Sequence, residues 1–256
     1  MIRLGGIGAF LRHRVLQAMV AITVGVTGLL MLVPSASAST FGFGGLWAFF
    51  QGSGQTVPDL SGNGLTATLG STAGSDANDP SWVPGAFIGL PALQFNGNQY
   101  LTVPDAPSLD TATITVGAVV KATSSPGAYR YIASKGAIQC LSASYGLYTG
   151  PSGGLEFYVS NGPNSYTVSP DGGVNIWDGH WHTVVGTYDG STIRLYVDGQ
   201  QVGTGTPSTI TIQYGLPDNN QFAIGDYLGS CPTSLGFVGD MAGVAVRQAV
   251  TPSPFG

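Results

Sequence analysis

A chain of 256 residues with only 8 % charged side chains and a formal net charge of −5 lacks the lysine and arginine that nucleic acid or an anionic membrane demands. Neither partner is expected. Forty glycines and sixteen prolines would fit disorder, but aromatic and β-branched residues run throughout and point to a β-rich core instead.

In chain order, the first element is a leader. Arg3, Arg12 and Arg14 form a basic start, Val15 to Val33 carry no charge, Pro34 ends that run, and Ala36-Ser37-Ala38 offers a small-residue cleavage pattern. A signal peptide over residues 1–38 is expected, with an uncleaved anchor as the alternative, since such a run nearly spans a bilayer. Cleavage leaves Ser39–Gly256, and the loss of three arginines takes the charge from −5 to −8. That length suits one well-buried domain. The expected division is a short linker over 39–45, a domain over 46–248 and a tail over 249–256. The protein is expected to be secreted, with no membrane contact after cleavage.

Beyond the leader, short apolar–polar runs alternate with glycine-bearing turns. Asn63-Gly64, Asn96-Gly97, Asn161-Gly162, Asp171-Gly172, Asp189-Gly190 and Asp198-Gly199 tolerate the positive φ of tight turns. Between them, Thr113–Lys121, Leu155–Val159 and Ile193–Val197 are rich in Val, Ile, Thr and Tyr and short enough for strands. No sustained 3.6-residue period appears after the leader, so the pattern predicts a sandwich or jelly roll. Cys140 and Cys231 are the only cysteines. In an exported chain the pair favours a disulfide over two buried thiols, and closing so long a loop contributes about 4–5 kcal/mol on the chain-entropy model.

The stretch His180–Gly199 reads HWHTVVGTYDGSTIRLYVDG. A two-residue turn at Asp189-Gly190 pairs Tyr188 with Ser191 and sets Gly186, Val184 and His182 opposite Ile193, Leu195 and Val197 on one apolar face. His182 is then a core strand histidine, and Trp181 points the other way. His180 and His182 have a metal-ligand spacing, but a zinc site needs a third ligand and the remaining histidine, His13, lies in the leader. Glu156 is the one glutamate and reads as an exposed strand residue. No pair of carboxylates at i, i+2 offers the acid and base that glycoside hydrolysis requires. Gly150-Pro151-Ser152-Gly153-Gly154 spells a nucleophile motif, but it lies between two strand-like runs and reads as a hairpin loop.

The segment Asp178–Val184, followed by Gly186–Gly190 and Leu195–Gly199, resembles the LamG-like (laminin G-like) jelly-roll domains of the concanavalin A-like lectin/glucanase superfamily. Trp47–Phe49, Asp59–Gly64, Leu93–Gly97, Tyr100–Pro104, Thr115–Lys121 and Phe237–Asp240 resemble further family strands and loops in the same order, over about residues 45–247. The resemblance implies an all-β fold: a concanavalin A-like jelly roll of two packed antiparallel sheets and about fourteen strands. It also implies glycan or protein binding, and in many members a calcium ion at the sheet rim. Asp59 and Asn63 stand where they could donate oxygen to such an ion; the other reading makes Asp59 a turn cap and Asn63 a positive-φ turn residue. Phe50-Gln51 and Ala242-Gly243 occupy positions where the family often has acids.

The leading expectation is therefore a secreted, non-catalytic module that recognises carbohydrate or a surface protein. The alternatives are a polysaccharide hydrolase or lyase on the same fold, or a structural or adhesive envelope protein. Sugars stack on aromatic faces, and the candidates on expected loops or outer faces are Trp82, Trp177, Trp181, Tyr214 and Tyr227. Core or edge packing is the other reading for each. Trp82, in the polar stretch DANDPSWVPG, is expected in a loop.

Overall fold

The computed structural model describes residues 42–87 and 90–255, so the expected leader lies outside the described residues. Two antiparallel sheets pack face to face. One runs in the order β14 (Gln200–Pro207), β13 (Thr192–Val197), β12 (His182–Tyr188), β7 (Ile114–Lys121), β16 (Val238–Arg247), β5 (Leu90–Asn96) and β4 (Ser81–Phe87), and β1 (Phe43–Ala48) also pairs with β16. The other runs β11 (Tyr166–Val168), β10 (Leu155–Ser160), β9 (Tyr145–Thr149), β8 (Tyr131–Ala137), β15 (Asn219–Ile224), β6 (Leu101–Val103), β3 (Ala67–Leu69) and β2 (Thr56–Val57). This is the expected all-β jelly-roll class, with sixteen strands among the described residues. The number exceeds fourteen because short pieces such as β2, β3 and β11, too brief to carry an alternation, still join the second sheet.

Alternation along each strand assembles the core between the sheets. In β10, Leu155, Phe157 and Val159 face it; in β7, Val116, Ala118 and Val120 do. Trp47 stacks on Phe222 with ring centroids 5.2 Å apart, and its indole donates to Leu65 O at 2.7 Å. Burial of such side chains contributes roughly 1.5–3 kcal/mol each. Gly186 is required here, because a Cβ at that position would lie 2.0 Å from Phe157.

The hairpin over 182–199 has a different register from the expected one. Tyr188 pairs with Ile193, Gly186 with Leu195 and Val184 with Val197. The cause is Asp189: its Oδ1 accepts from Ser191 N, Ser191 Oγ and Thr192 N, folding four residues into the turn. The two-residue hairpin turn lies one connection later, at Asp198-Gly199, where both φ values are positive and Val197 pairs with Gln200. His182 does point inward, as expected. Trp82 is not in a loop: it lies in β4, paired with Leu93.

Strands begin at Phe43, within the expected linker, and end at Arg247. The segment after them packs across the outer face of the first sheet. Thr115 Oγ1 donates to Ala249 O at 2.8 Å and accepts from Thr251 N at 3.0 Å. Phe255 is buried with Val119, Ala242 and Ala245, against Phe43, Leu46 and Trp181. Pro254 occupies the space that a Cβ on Gly117 would fill.

Candidate functional site

The outer face of the second sheet is built differently. Strands β8, β9 and β10 turn Tyr131, Tyr148 and Tyr158 outward, on the side opposite Ile132, Leu147 and Phe157. Tyr131 stacks on Tyr148 at 5.3 Å, Tyr148 meets Tyr158 edge-on at 5.1 Å, and Tyr227 closes on Tyr131 at 5.1 Å. All four rings are buried. Desolvation drives the phenols of Tyr131, Tyr148 and Tyr158 well up, so they remain protonated and bond to one another and to the backbone. The Tyr131 and Tyr158 hydroxyls lie 3.1 Å apart, and Tyr158 accepts from Ala143 N at 2.8 Å.

Glu156, expected on the surface, is buried beside this layer, and its Oε2 accepts from Tyr148 at 2.8 Å. Alternation did put it on the outer face, but the tyrosines cover that face. Burial raises its pKa, the Tyr148 bond opposes that shift, and the charge of Asp171 adds to it. Gly150 makes room for the carboxyl, since a Cβ there would lie 2.3 Å from it. The 150–154 segment is the expected loop between β9 and β10, with Ser152 Oγ donating to Asp171 Oδ2 at 2.7 Å.

The chain leaves β15 after Ile224, passes through Tyr227 into a loop and returns at Gly236, where it bridges to Tyr131. The disulfide between Cys140 and Cys231 ties the loop down. Tyr227 fixes it from below: its hydroxyl donates among the carbonyls of Gln139 at 2.8 Å and Ser142 at 2.9 Å, and accepts from Ile138 N at 3.2 Å. Between this loop and the sheet lies a cleft of about 460 Å³. Strands contribute Thr102, Asn219 and Gln221; Ser71 and Tyr100 close one side; Asp226 to Gly229 and Cys231 to Ser234 form the other. Hydroxyls and amides dominate the lining, Tyr100 supplies a half-buried aromatic ring, and Asp226 is the single carboxylate.

Asp226 is 7 % exposed. Its Oδ1 accepts from Tyr227 N at 2.7 Å and its Oδ2 from Ser234 Oγ at 3.3 Å. Burial pushes its pKa up to about 6 against those bonds, a third from the Leu235 amide and the charge of Arg130. A carboxyl with that pKa is mostly ionised at pH 7 and can accept from ligand hydroxyls.

Of the aromatic candidates, only Tyr227 borders this cleft. Trp177 is buried with its indole on Gly153 O at 2.9 Å, and Trp82 donates to Gly54 O at 2.9 Å. Trp181 lies on the opposite sheet under the Lys121 ammonium, 5.1 Å from the ring centroid. The Tyr214 hydroxyl donates to Thr111 O at 2.8 Å. Asp59 accepts from Leu46 N, Ser61 N, Ser61 Oγ and Leu65 N, and Asn63 donates to Phe43 O and Gly44 O. Both side chains therefore hold the turn to β1, and the positive φ values fall on Gly62 and Gly64. His182 is clamped between carboxylates, Nδ1 to Asp198 at 2.8 Å and Nε2 to Asp178 at 3.1 Å. The Asp198 bond is the main reason its pKa is raised. Sequence reasoning missed Asp226 and Tyr100. The available signal was a Gly-rich stretch, GDYLGSCPTS, anchored by the second cysteine.

A family model described as the concanavalin A-like lectin/glucanases superfamily, Laminin_G_3, matches residues 95–253. No curated protein matches the sequence. Domain 4 of AbnA, a GH43 extracellular arabinanase from Geobacillus stearothermophilus, in complex with arabinotriose, is 18 % identical with a TM-score of 0.58, over 83 % of this chain and 96 % of that one. The Trypanosoma rangeli sialidase in complex with the inhibitor DANA is 18 % identical with a TM-score of 0.56; 93 % of this chain aligns, but only 37 % of the sialidase. The receptor binding domain of botulinum neurotoxin mosaic serotype C/D is 9 % identical with a TM-score of 0.56, over 85 % and 50 %. At these identities the likeness is one of fold.

Proposed function

We propose that this chain, which belongs to the Laminin_G_3 family of the concanavalin A-like lectin/glucanases superfamily, is an extracellular carbohydrate-binding module with no catalysis of its own. The observation that carries the reading is the chemistry of the cleft: hydroxyls, amides and the rings of Tyr100 and Tyr227 around a single carboxyl. Polyhydroxylated ligands need many such partners, with an aromatic face for the apolar side of the sugar. Glycoside hydrolysis needs two carboxyls across the scissile bond, and the cleft is lined by one. Glu156, the other buried acid with a raised pKa, is bonded to Tyr148 outside the cleft lining. The arabinotriose bound to the arabinanase domain supports sugar binding on this fold. The disulfide supports an oxidising compartment, and among the described residues no helix is long and apolar enough to cross a membrane.

The test is a glycan and polysaccharide array probed with the purified chain and two variants. Confined hits that Tyr100→Ala weakens about tenfold, and that Trp181→Ala leaves intact, are expected. A blank array, or hits that vanish with Trp181→Ala and survive Tyr100→Ala, would move the site off this cleft.

A further inference from the structure

Resting on the reading of the cleft as a sugar site, we infer that its preferred ligand carries a protonated amine, an amino sugar without an acyl group on nitrogen, selected by Asp226. The argument starts from charge. Among the residues lining the cleft Asp226 is the one charged group, and the cation whose charge reaches it, Arg130, stands outside that lining. The whole chain adds a formal −5. A uronate or sialate residue would bring a second negative charge against a desolvated carboxyl, with no cation in the lining to offset it.

The second step is the incomplete pairing of that carboxyl. Tyr227 N, Ser234 Oγ and the Leu235 amide donate to it, but an ionised carboxylate has about four acceptor sites. Among the described residues it forms no salt bridge: Arg130 acts on it through charge, while its Nη1 donates to Ser234 O at 2.8 Å. A buried carboxylate with no cation bonded to it is costly, and the charge of Arg130 only partly offsets the upward displacement that burial causes. A ligand ammonium supplies that counter-ion, and charge-assisted bonds are roughly twice as strong as neutral ones. An N-acetyl group or a hydroxyl at the same place offers a hydrogen bond without the charge.

The third step is linkage. An ammonium binds the ionised form of Asp226, so affinity for the amine falls as pH drops below about 6. The other ionisable groups in the lining are Tyr100 and Tyr227, both phenols, while Cys231 is held in the disulfide. Tyr227 is itself pushed up to about 12 by burial.

The experiment is calorimetric titration of the purified chain with three oligosaccharides: a β-linked glucosamine tetramer, its N-acetylated counterpart and a glucuronate-containing tetramer. At about pH 7 the amine should bind about tenfold tighter than the N-acetylated form, a difference of about 1.4 kcal/mol, and the glucuronate should not bind. Asp226→Asn should bring the first two within about twofold of each other, and lowering the pH to about 5 should weaken the amine severalfold. Thr233→Lys, at an exposed lining position, places a cation on the cleft wall without disturbing the core and should abolish the amine preference even if Asp226→Asn fails to fold. An amine preference that survives these substitutions would overturn the inference. So would equal binding of amine and N-acetylated forms by the unaltered chain, or binding of the glucuronate, yet the sugar-site reading would stand. Binding of none of the three, with a blank array, would remove the sugar site itself.

Discussion

The outer face of the sheet holding β7 and β16 is covered by the segment after Arg247, which lays Pro254 on Gly117 and Phe255 on Val119, Ala242 and Ala245. The outer face of the sheet holding β8 to β10 is covered by its own tyrosines and by the disulfide-tied loop, which leaves a polar cleft at its border. The first cover combines the apolar packing of Phe255 with hydrogen bonds at Thr115. The second places hydrogen-bonding groups around an opening. A sandwich needs one buried face per sheet; what it does with the other face separates packing from recognition.

The largest expected effect comes from the second face. Removing the bridge with Cys140→Ser and Cys231→Ser frees a loop of 91 residues in the unfolded chain and should cost about 2–5 kcal/mol. Thermal melts check this, and sugar affinity should fall with stability because Cys231 borders the cleft. An unchanged affinity would show that the loop holds its place without the bridge. Phe255→Ala, on the first face, should cost about 2 kcal/mol from lost burial with the array pattern unchanged. A change in sugar binding there would break the division between the two faces.

A smaller effect is expected at Tyr148→Phe. It removes the donor to Glu156 Oε2 and should cost about 1–2 kcal/mol, read from denaturant midpoints. The same substitution should raise the Glu156 pKa further, because that bond opposes the upward shift due to burial. The carbon-detected carboxyl titration of Glu156 measures it.

The smallest effect is the pH dependence of the first sheet's hairpin. His182 titrates above its ordinary value, mainly through Asp198 and also through Asp178, against desolvation. A raised histidine pKa stabilises the fold fully below about pH 6.5, its unfolded value, and that gain is lost as pH rises through the higher folded value. Each kcal/mol lost lowers the melting temperature by about 2–4 °C for a chain of this size. His182→Asn should flatten this part of the pH–stability profile. A slope that persists would assign it to another group.

The sheets were legible in the sequence because alternation and Asx-Gly turns are local signals. Five of the six dipeptides carry a positive φ at glycine; Gly172 does not. The inward face of His182 also followed from alternation. The hairpin register was not legible, since it depends on which groups Asp189 captures, and Asp-Gly alone fits both loop lengths. Glu156 shows a second limit: alternation fixes the face of a residue but not whether something covers that face. The cleft was invisible for the same reason. Ser71 and Tyr100 are far in the chain from Asn219 and Asp226, and a disulfide that spans 91 residues of sequence ties down the loop beside them.

Amide hydrogen exchange of the purified chain, with and without the oligosaccharide it binds best on the array, tests the central claim most directly. Slowed exchange confined to 100–102, 219–221 and the 226–236 loop is the predicted result. Protection centred on Phe43, Trp181 and the segment after Arg247, with the loop unchanged, would place recognition on the other face and contradict the account.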